Sequence, residues 1–407
     1  MALIQYLVRV KDQTGTKVCE FVGRGRRVST PGGLEGFSYQ KRVRTPGAWT
    51  LQINADDERV QFLDLDNADT MDSQVEFWRK DVVNDAAYQF WLANLPAYRR
   101  DVKLPGWYKD FEGFLRDMEF EQNEDGVEVF VARGRGYNDL LSAEPILYYA
   151  DTIYTTKAGP IETVLKEYVN ENIGPGAITP PRLRDGIMPG LTIQADAATG
   201  VAWSGARAHK NLLDVCQELA GYGGGAGQGD YMIVGTGAAT FQFQWKIGQW
   251  GLDKTRGNGV NPPVIFSPNR KNATNFKYRY NRLNEVNTVD MLGVGKAGDR
   301  VYAGATSGTE ADSPWARRAV TREDTSQWNT TILEDDAEQT LAAQRLRREF
   351  SFDIIQFPTR YGVNWEVGDL VTVQYRGREV DQKIVGATVT LDNSGTETIR
   401  PELEDYE

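Results

Sequence analysis

Histidine is almost absent from this chain: His209 is the single one in 407 residues. One imidazole excludes paired-histidine zinc sites and the two-histidine iron triad within one chain. A Ser-His-acid triad would have to join His209 to a serine such as Ser204, and no Gly-x-Ser-x-Gly elbow surrounds it. At the start of a helical stretch, His209 reads as a surface residue. Cysteine is nearly as scarce. Cys19 and Cys216 supply neither a disulfide framework nor a cysteine-rich metal site, and Cys216, within an apolar helical stripe, reads as core. No run approaches the roughly 18 apolar residues of a helical membrane span. Residues 1–6 lack the basic and apolar regions of a secretory signal, which points to synthesis in a cytoplasm. Without that signal the sequons at Asn272 and Asn329 carry no weight. Positive charge is also in deficit, with 46 Lys and Arg against 57 Asp and Glu, a net charge of −11. A general nucleic-acid binder needs a basic face; an acidic wall instead lets a polyanion pass without gripping it.

Glycine is plentiful, at 41 residues, and aromatics make up 11% of the chain, as in a β-rich protein with many turns. The length allows two to four domains. Residues 1 to about 145 read mostly as strand. Val75 and Phe77 alternate with Gln74 and Glu76, and a hairpin spans 117–131 around Gly126. A helix before Pro96 is expected to turn Val83, Ala86, Ala87, Phe90 and Trp91 to one face. Two further helices have clear apolar stripes: Ile161, Val164, Leu165, Tyr168 and Val169 after Pro160, then Leu212, Val215, Cys216, Leu219 and Ala220 before Gly221. Residues 174–205 read as loop or extended connection, strands return at 231–234, 241–247 and 276–294, and 295–313 reads as loop. A fourth helix is expected over 333–350, with Ala337, Leu341, Ala342, Leu346 and Phe350 inward. Acids crowd its start and Arg345, Arg347 and Arg348 its end, matching the helix dipole. Strands at 350–357, 370–375, 383–391 and 396–400 then read as a small barrel or sandwich.

Several motifs invite chemistry. Residues 221–226 fit G-x-G-x-x-A, but they follow a helix rather than a strand, so a helix stop is the better reading. Asp64, Asp66, Asn67, Asp69 and Asp72 suggest calcium, yet Val75 stands where a closing Glu belongs. A solvated acidic turn is the main reading, with a weak calcium loop between Asp64 and Asp72 as the alternative. Gly23–Arg27 and Arg133-Gly134-Arg135-Gly136 read as turns with solvated arginines, or as subunit contacts. Ten tryptophans, among them Trp78, Trp91, Trp107, Trp203, Trp245, Trp250, Trp315, Trp328 and Trp365, follow no repeat and read as core or interface aromatics. No pair of carboxylates stands out for glycan cleavage. No catalytic, cofactor-binding or metal-binding residue is assigned.

The order of motifs carries a resemblance. Phe111-Glu112-Gly113-Phe114-Leu115-Arg116 precedes the 117–131 hairpin and Asn138-Asp139-Leu140-Leu141. The helix 161–172, Asn211-Leu212-Leu213-Asp214-Val215, the glycine loop and the strands 231–247 follow. Then come Asn284–Val289, Gly293-Val294-Gly295, the helix from 333, and Tyr361–Val373 with Trp365-Glu366-Val367-Gly368-Asp369 inside it. Nearly the whole chain resembles the baseplate-hub proteins of siphophage tail tips, related to the central hub of contractile-tail baseplates. Segment 80–110 departs from the simplest members. The resemblance implies an α+β, mainly β fold with two tail-tube-like β-barrels and helix-containing inserts, divided into 1–145, 146–235, 236–315 and 316–407. It implies a virion protein rather than an enzyme, with no cofactor: a homotrimer whose six barrels join a sixfold tail tube to a threefold tip. Its partners would be a tail-tube or distal tail protein above and tip, fibre or spike proteins below, with tape-measure protein and genomic DNA passing through. The alternatives are the hub of a contractile injection system, or a glycan-binding or glycan-cleaving protein.

Overall fold

Alternating apolar side chains make the N-terminal third of the chain a sheet of antiparallel strands. In this computed structural model the described residues are 4–24, 34–67, 70–122, 126–147, 152, 155–179, 182–222, 228–325, 328–344, 347–356, 358–392 and 395–406. The first strands are β1 (Ile4–Lys11), β2 (Lys17–Arg24), β3 (Leu34–Arg42), β4 (Ala48–Asn54), β5 (Gln74–Asp81), β6 (Tyr108–Gln122) and β7 (Glu128–Gly136), paired in the order β3-β4-β7-β6-β5-β1-β2. Tyr6, Val8 and Val10 of β1 face inward with Val75 and Phe77 of β5. Gln74 and Glu76 on the other face of β5 are buried as well. Glu76 is buried because Lys11 and the Trp78 indole N–H bind it there.

Helix α1 (Ala86–Ala93) forms before Pro96 but is rotated from the expected face, of which only Trp91 packs inward. Asp85 caps it by accepting from the Tyr88 N–H at 2.9 Å. Tyr88 and Leu95 are buried, with Trp91 and Leu92 packed beside them, while Phe90 is 76% and Val83 47% exposed. Both stripes have helical spacing. The Tyr88 hydroxyl, donating to the Gly106 carbonyl at 2.7 Å, belongs to the stripe that wins.

The middle of the chain holds β8 (Thr155–Pro160), α2 (Ile161–Asn172), β9 (Leu191–Ile193), β10 (Ala202–Arg207), α3 (Leu212–Ala220), β11 (Gly229–Gly237) and β12 (Thr240–Ile247). Every apolar residue of the two expected stripes on α2 and α3 is fully buried, in a core shared with Phe114, Tyr137, Phe241 and Phe243. The stretch 174–205 is more ordered than a loop: β9 adds to β12 in parallel and β10 pairs with β8.

The remaining strands are β13 (Asp253–Lys254), β14 (Ile265–Phe266), β15 (Ala273–Asn281), β16 (Thr288–Leu292), β17 (Tyr302–Thr306), β18 (Ala319–Glu323), β19 (Arg347–Ile354), β20 (Leu370–Tyr375), β21 (Arg378–Leu391) and β22 (Glu397–Asp405), with α4 (Thr330–Ala343) between β18 and β19. Strand β17, weak in β-formers, falls where a loop was expected. It pairs with β16, and α4 covers their sheet through Leu333, Ala337 and Leu341. Helix α4 stops earlier than its charge gradient suggested. Arg347 and Arg348 open strand β19, and Phe350 faces inward from that strand, not from a helix; Arg345 and Leu346 lie outside the described residues. Phe350, Phe352 and Ile354 repeat every second residue and pack on one side of the β15–β19 pair.

Strand β21 pairs with β3 from Gly386↔Arg42 to Leu391↔Phe37. That pairing fuses N-terminal and C-terminal strands, among the described residues, into one sheet of 12 strands over a shared core running from Tyr6 to Ile399. The fold is α+β and mainly β.

Candidate functional site

Where the N- and C-terminal strands meet, the apolar interior also encloses charged side chains. Arg79 of β5 is 1% exposed and donates to the Tyr6 hydroxyl at 3.0 Å, the Tyr108 hydroxyl at 2.9 Å and Glu397 of β22. Asp110 of β6 accepts from Tyr39, from Tyr361 at 3.0 Å and from Lys41 at 3.2 Å. Burial opposes ionisation of Asp110, but Lys41, Arg79 and Arg99 overcome it and hold its carboxyl below the usual range. Burial likewise works against Glu366, and Arg99, 2.8 Å away, reverses the balance with Lys41 in support. For Glu76 the cations that outweigh burial are Lys109 and Lys11.

The Trp365–Asp369 motif is the clamp of this seam. Trp365 is fully buried against Phe266 and Tyr361, at ring-centroid separations of 5.7 and 4.8 Å. Glu366 takes Arg99. Gly368, at φ +97°, gives its carbonyl to the Gly251 N–H at 3.0 Å. Asp369 accepts from the Leu252 and Glu366 N–H groups, at 2.7 and 2.8 Å, and from Lys254 at 2.8 Å. Burial outweighs Lys254 there and leaves the Asp369 carboxyl above its usual range. A second clamp stands on Asp230 of β11, which holds Arg44 at 2.8 Å and Lys383 of β21 at 2.7 Å, so the middle strands are tied to both ends of the chain.

A cavity of about 540 Å³ opens at this junction, lined from β3, segment 91–99, β6, β12 and residues 250–254 and 366–369. Segment 80–110, the departure in the sequence, supplies Arg99 and Asp110 to the seam. None of Arg79, Lys41, Arg99 or Asp110 carried a sequence signal. Glu366 and Asp369 did, through the motif around Trp365.

The other sequence candidates lie elsewhere. His209 is exposed, at φ +60°, in the turn before α3, where its N–H donates to the Ile146 carbonyl at 2.9 Å. Ser204 is exposed on β10. In the acidic cluster Asp64 accepts from the Asp66 N–H at 2.9 Å and Asp72 pairs with Arg116, while Asp69 lies outside the described residues. Gly221 and Tyr222 follow α3, and 223–226 lie outside the described residues, as do 25–27 of the first basic stretch. Arg133 and Arg135 are not in a turn. They sit within β7, and Arg133 reaches Asp117, Glu119 and Glu121 of β6 at 2.9, 2.7 and 3.2 Å. Gly134 between them lies against the Phe114 carbonyl and the Trp49 indole, where a Cβ would fall 1.9 Å from the oxygen and 2.5 Å from the ring.

The family model described as Siphovirus ReqiPepy6 Gp37-like protein matches residues 26–403. No curated protein matches. Among solved structures, the tail protein from Neisseria meningitidis MC58 aligns at 13% identity and TM-score 0.57, over 98% of this chain and 96% of that one. The prophage MuSo2 43 kDa tail protein from Shewanella oneidensis aligns at 11% identity and TM-score 0.53, over 98% of each chain. Prophage tail protein gp18 from Listeria monocytogenes EGD-e aligns at 10% identity and TM-score 0.50, over 100% of this chain and 96% of that one. At such identities the likeness is one of fold.

Proposed function

The chain belongs to the Siphovirus ReqiPepy6 Gp37-like protein family, and from that premise we propose that it is a structural hub at the distal tip of a phage tail. Three copies form a ring, and the two β units of each copy present six tube-like units to a sixfold tail tube while keeping a threefold face below. A tail-tube or distal tail protein sits above, tip, fibre or spike proteins sit below, and tape-measure protein and genomic DNA pass through. The chain is made in the host cytoplasm, functions in the virion and performs no catalysis. In this reading it divides at about 145, 235 and 315.

The observation that carries the proposal is the β21–β3 pairing, which lays the N- and C-terminal strands of one chain side by side over a shared core. A ring built from paired units needs them fixed at one angle, and ion pairs such as the buried Arg79–Glu397 and the half-buried Arg99–Glu366 favour one geometry by penalising every arrangement that separates them. The net charge of −11 suits a conduit that DNA slides past. The test is the mass of the purified protein, alone and mixed with its tail-tube protein. The expected species is three times 45.6 kDa in at least one sample; a lone monomer in both overturns the ring.

A further inference from the structure

The junction cavity is charged in an unusual sense for so acidic a chain. Its lining has six cationic side chains against four carboxylates. The four carboxylates are each matched: Asp110 with Lys41, Glu366 with Arg99, Asp369 with Lys254, and Glu112 with Lys109. Of the two cations left over, Arg42 turns to Glu402 of β22. Lys246 has no carboxylate within ion-pair distance among the described residues. Its ammonium donates to the Trp250 carbonyl at 2.7 Å and stands 5.1 Å from the centre of the Trp250 ring. An ammonium carries three donors, so this contact leaves hydrogen-bonding capacity unused beside an aromatic wall. Trp91 and Phe111 also line the cavity, and the Tyr98 hydroxyl makes no hydrogen bond to another described residue. A volume of about 540 Å³ at the meeting of several chain segments matches the size and placement of small-ligand sites.

We propose that this cavity binds a carboxylate carried on an aromatic or apolar body, with the carboxylate on Lys246 and the body against Trp250 and its neighbours. The carboxylate is the feature recognised, whether it belongs to a free small molecule or to a peptide segment. Lys246 is exposed at the rim of the cavity, so replacing it leaves the buried seam intact.

The experiment is calorimetric titration of the full chain with three probes: 3-phenylpropionate, its uncharged amide, and the capped dipeptide acetyl-Phe-Glu-amide. The expected result is one-to-one binding of the acid, roughly tenfold tighter than the amide, as a hydrogen bond to a charged group warrants. Lys246→Met should erase that preference and Lys246→Arg should retain it, each at an unchanged melting temperature. Dipeptide binding with the same dependence on Lys246 identifies a polypeptide source, and its absence beside acid binding identifies a small molecule. Equal affinities for acid and amide, a preference that survives Lys246→Met, or no binding of the acid at millimolar concentration overturns the proposal. None of these results bears on the mass of the ring, so the site and the hub reading fail separately.

Discussion

Asp336 shows how far one side chain is governed by neighbours remote in sequence. It lies on α4, in a helix stretch whose acids suggested only a dipole match. Burial raises its carboxyl to about 6; Arg207 opposes this, and Glu218, Asp324 and Asp335 reinforce it. A carboxyl raised in the folded state favours folding fully below its unfolded value, near 3.9, and that contribution is lost as pH rises through about 6. Asp336→Asn is therefore expected to stabilise the protein at pH 7.5 and to have no effect near pH 4. Partial solvent screening limits the gain to about 1–2 kcal/mol. Urea denaturation midpoints at the two pH values measure it, and equal effects at both would refute the assignment. Gly134 makes the same point sterically, since its place in Arg-Gly-Arg-Gly is set by the Phe114 carbonyl and the Trp49 indole of neighbouring strands.

Among the elements, β19 is where two sequence signals competed. Acids early and arginines late argued for one long helix to 350; Phe350, Phe352 and Ile354 argued for a strand. The strand prevails from Arg347 because β15 is there to pair with it and an aromatic cluster receives its inward face. Phe352 is buried against Phe276 at 4.7 Å and Phe266 at 5.2 Å between ring centroids. Phe352→Ala is expected to cost about 3–5 kcal/mol, read as a lowered thermal midpoint, whereas Phe90→Ala on the exposed face of α1 should stay within about 0.5 kcal/mol of the wild type. The reverse ranking would mean that α1 buries the face carrying Phe90 and that Phe352 lies outside the core.

For the whole molecule, the decisive feature is the core shared by the N- and C-terminal strands, with an ionic seam spanning chain positions hundreds of residues apart. Asp110, Glu366 and Glu76 are held below their usual range by adjacent cations. A carboxyl lowered in the folded state contributes stability above its unfolded value, near 4, and loses it as pH falls through its folded value. Acidification below about pH 4 should therefore weaken the N- and C-terminal strands together. Hydrogen exchange after incubation at a series of pH values from 7 down to 3 checks this. Protection lost in β5, β6, β20 and β21 at the same pH fits a shared seam, and loss at separate pH values would show two independent units.

Features that depend on near neighbours were legible in the amino-acid order alone. The stripes of α2 and α3, the Gly126 hairpin and strand β20 follow from periodicity and turn residues within a dozen positions. The tail-hub resemblance rested on the order of such motifs, and the Trp365–Asp369 segment was visible because its residues are adjacent. Long-range packing settles which face of α1 is buried, that Arg133 is a strand residue, and that Arg79, Asp110 and Arg99 are the charges of the seam. A buried charge is stable only when an opposite charge is brought to it. Arg79 and its partner Glu397 are 318 residues apart, a pairing that no local pattern encodes and that exists only once β21 has found β3.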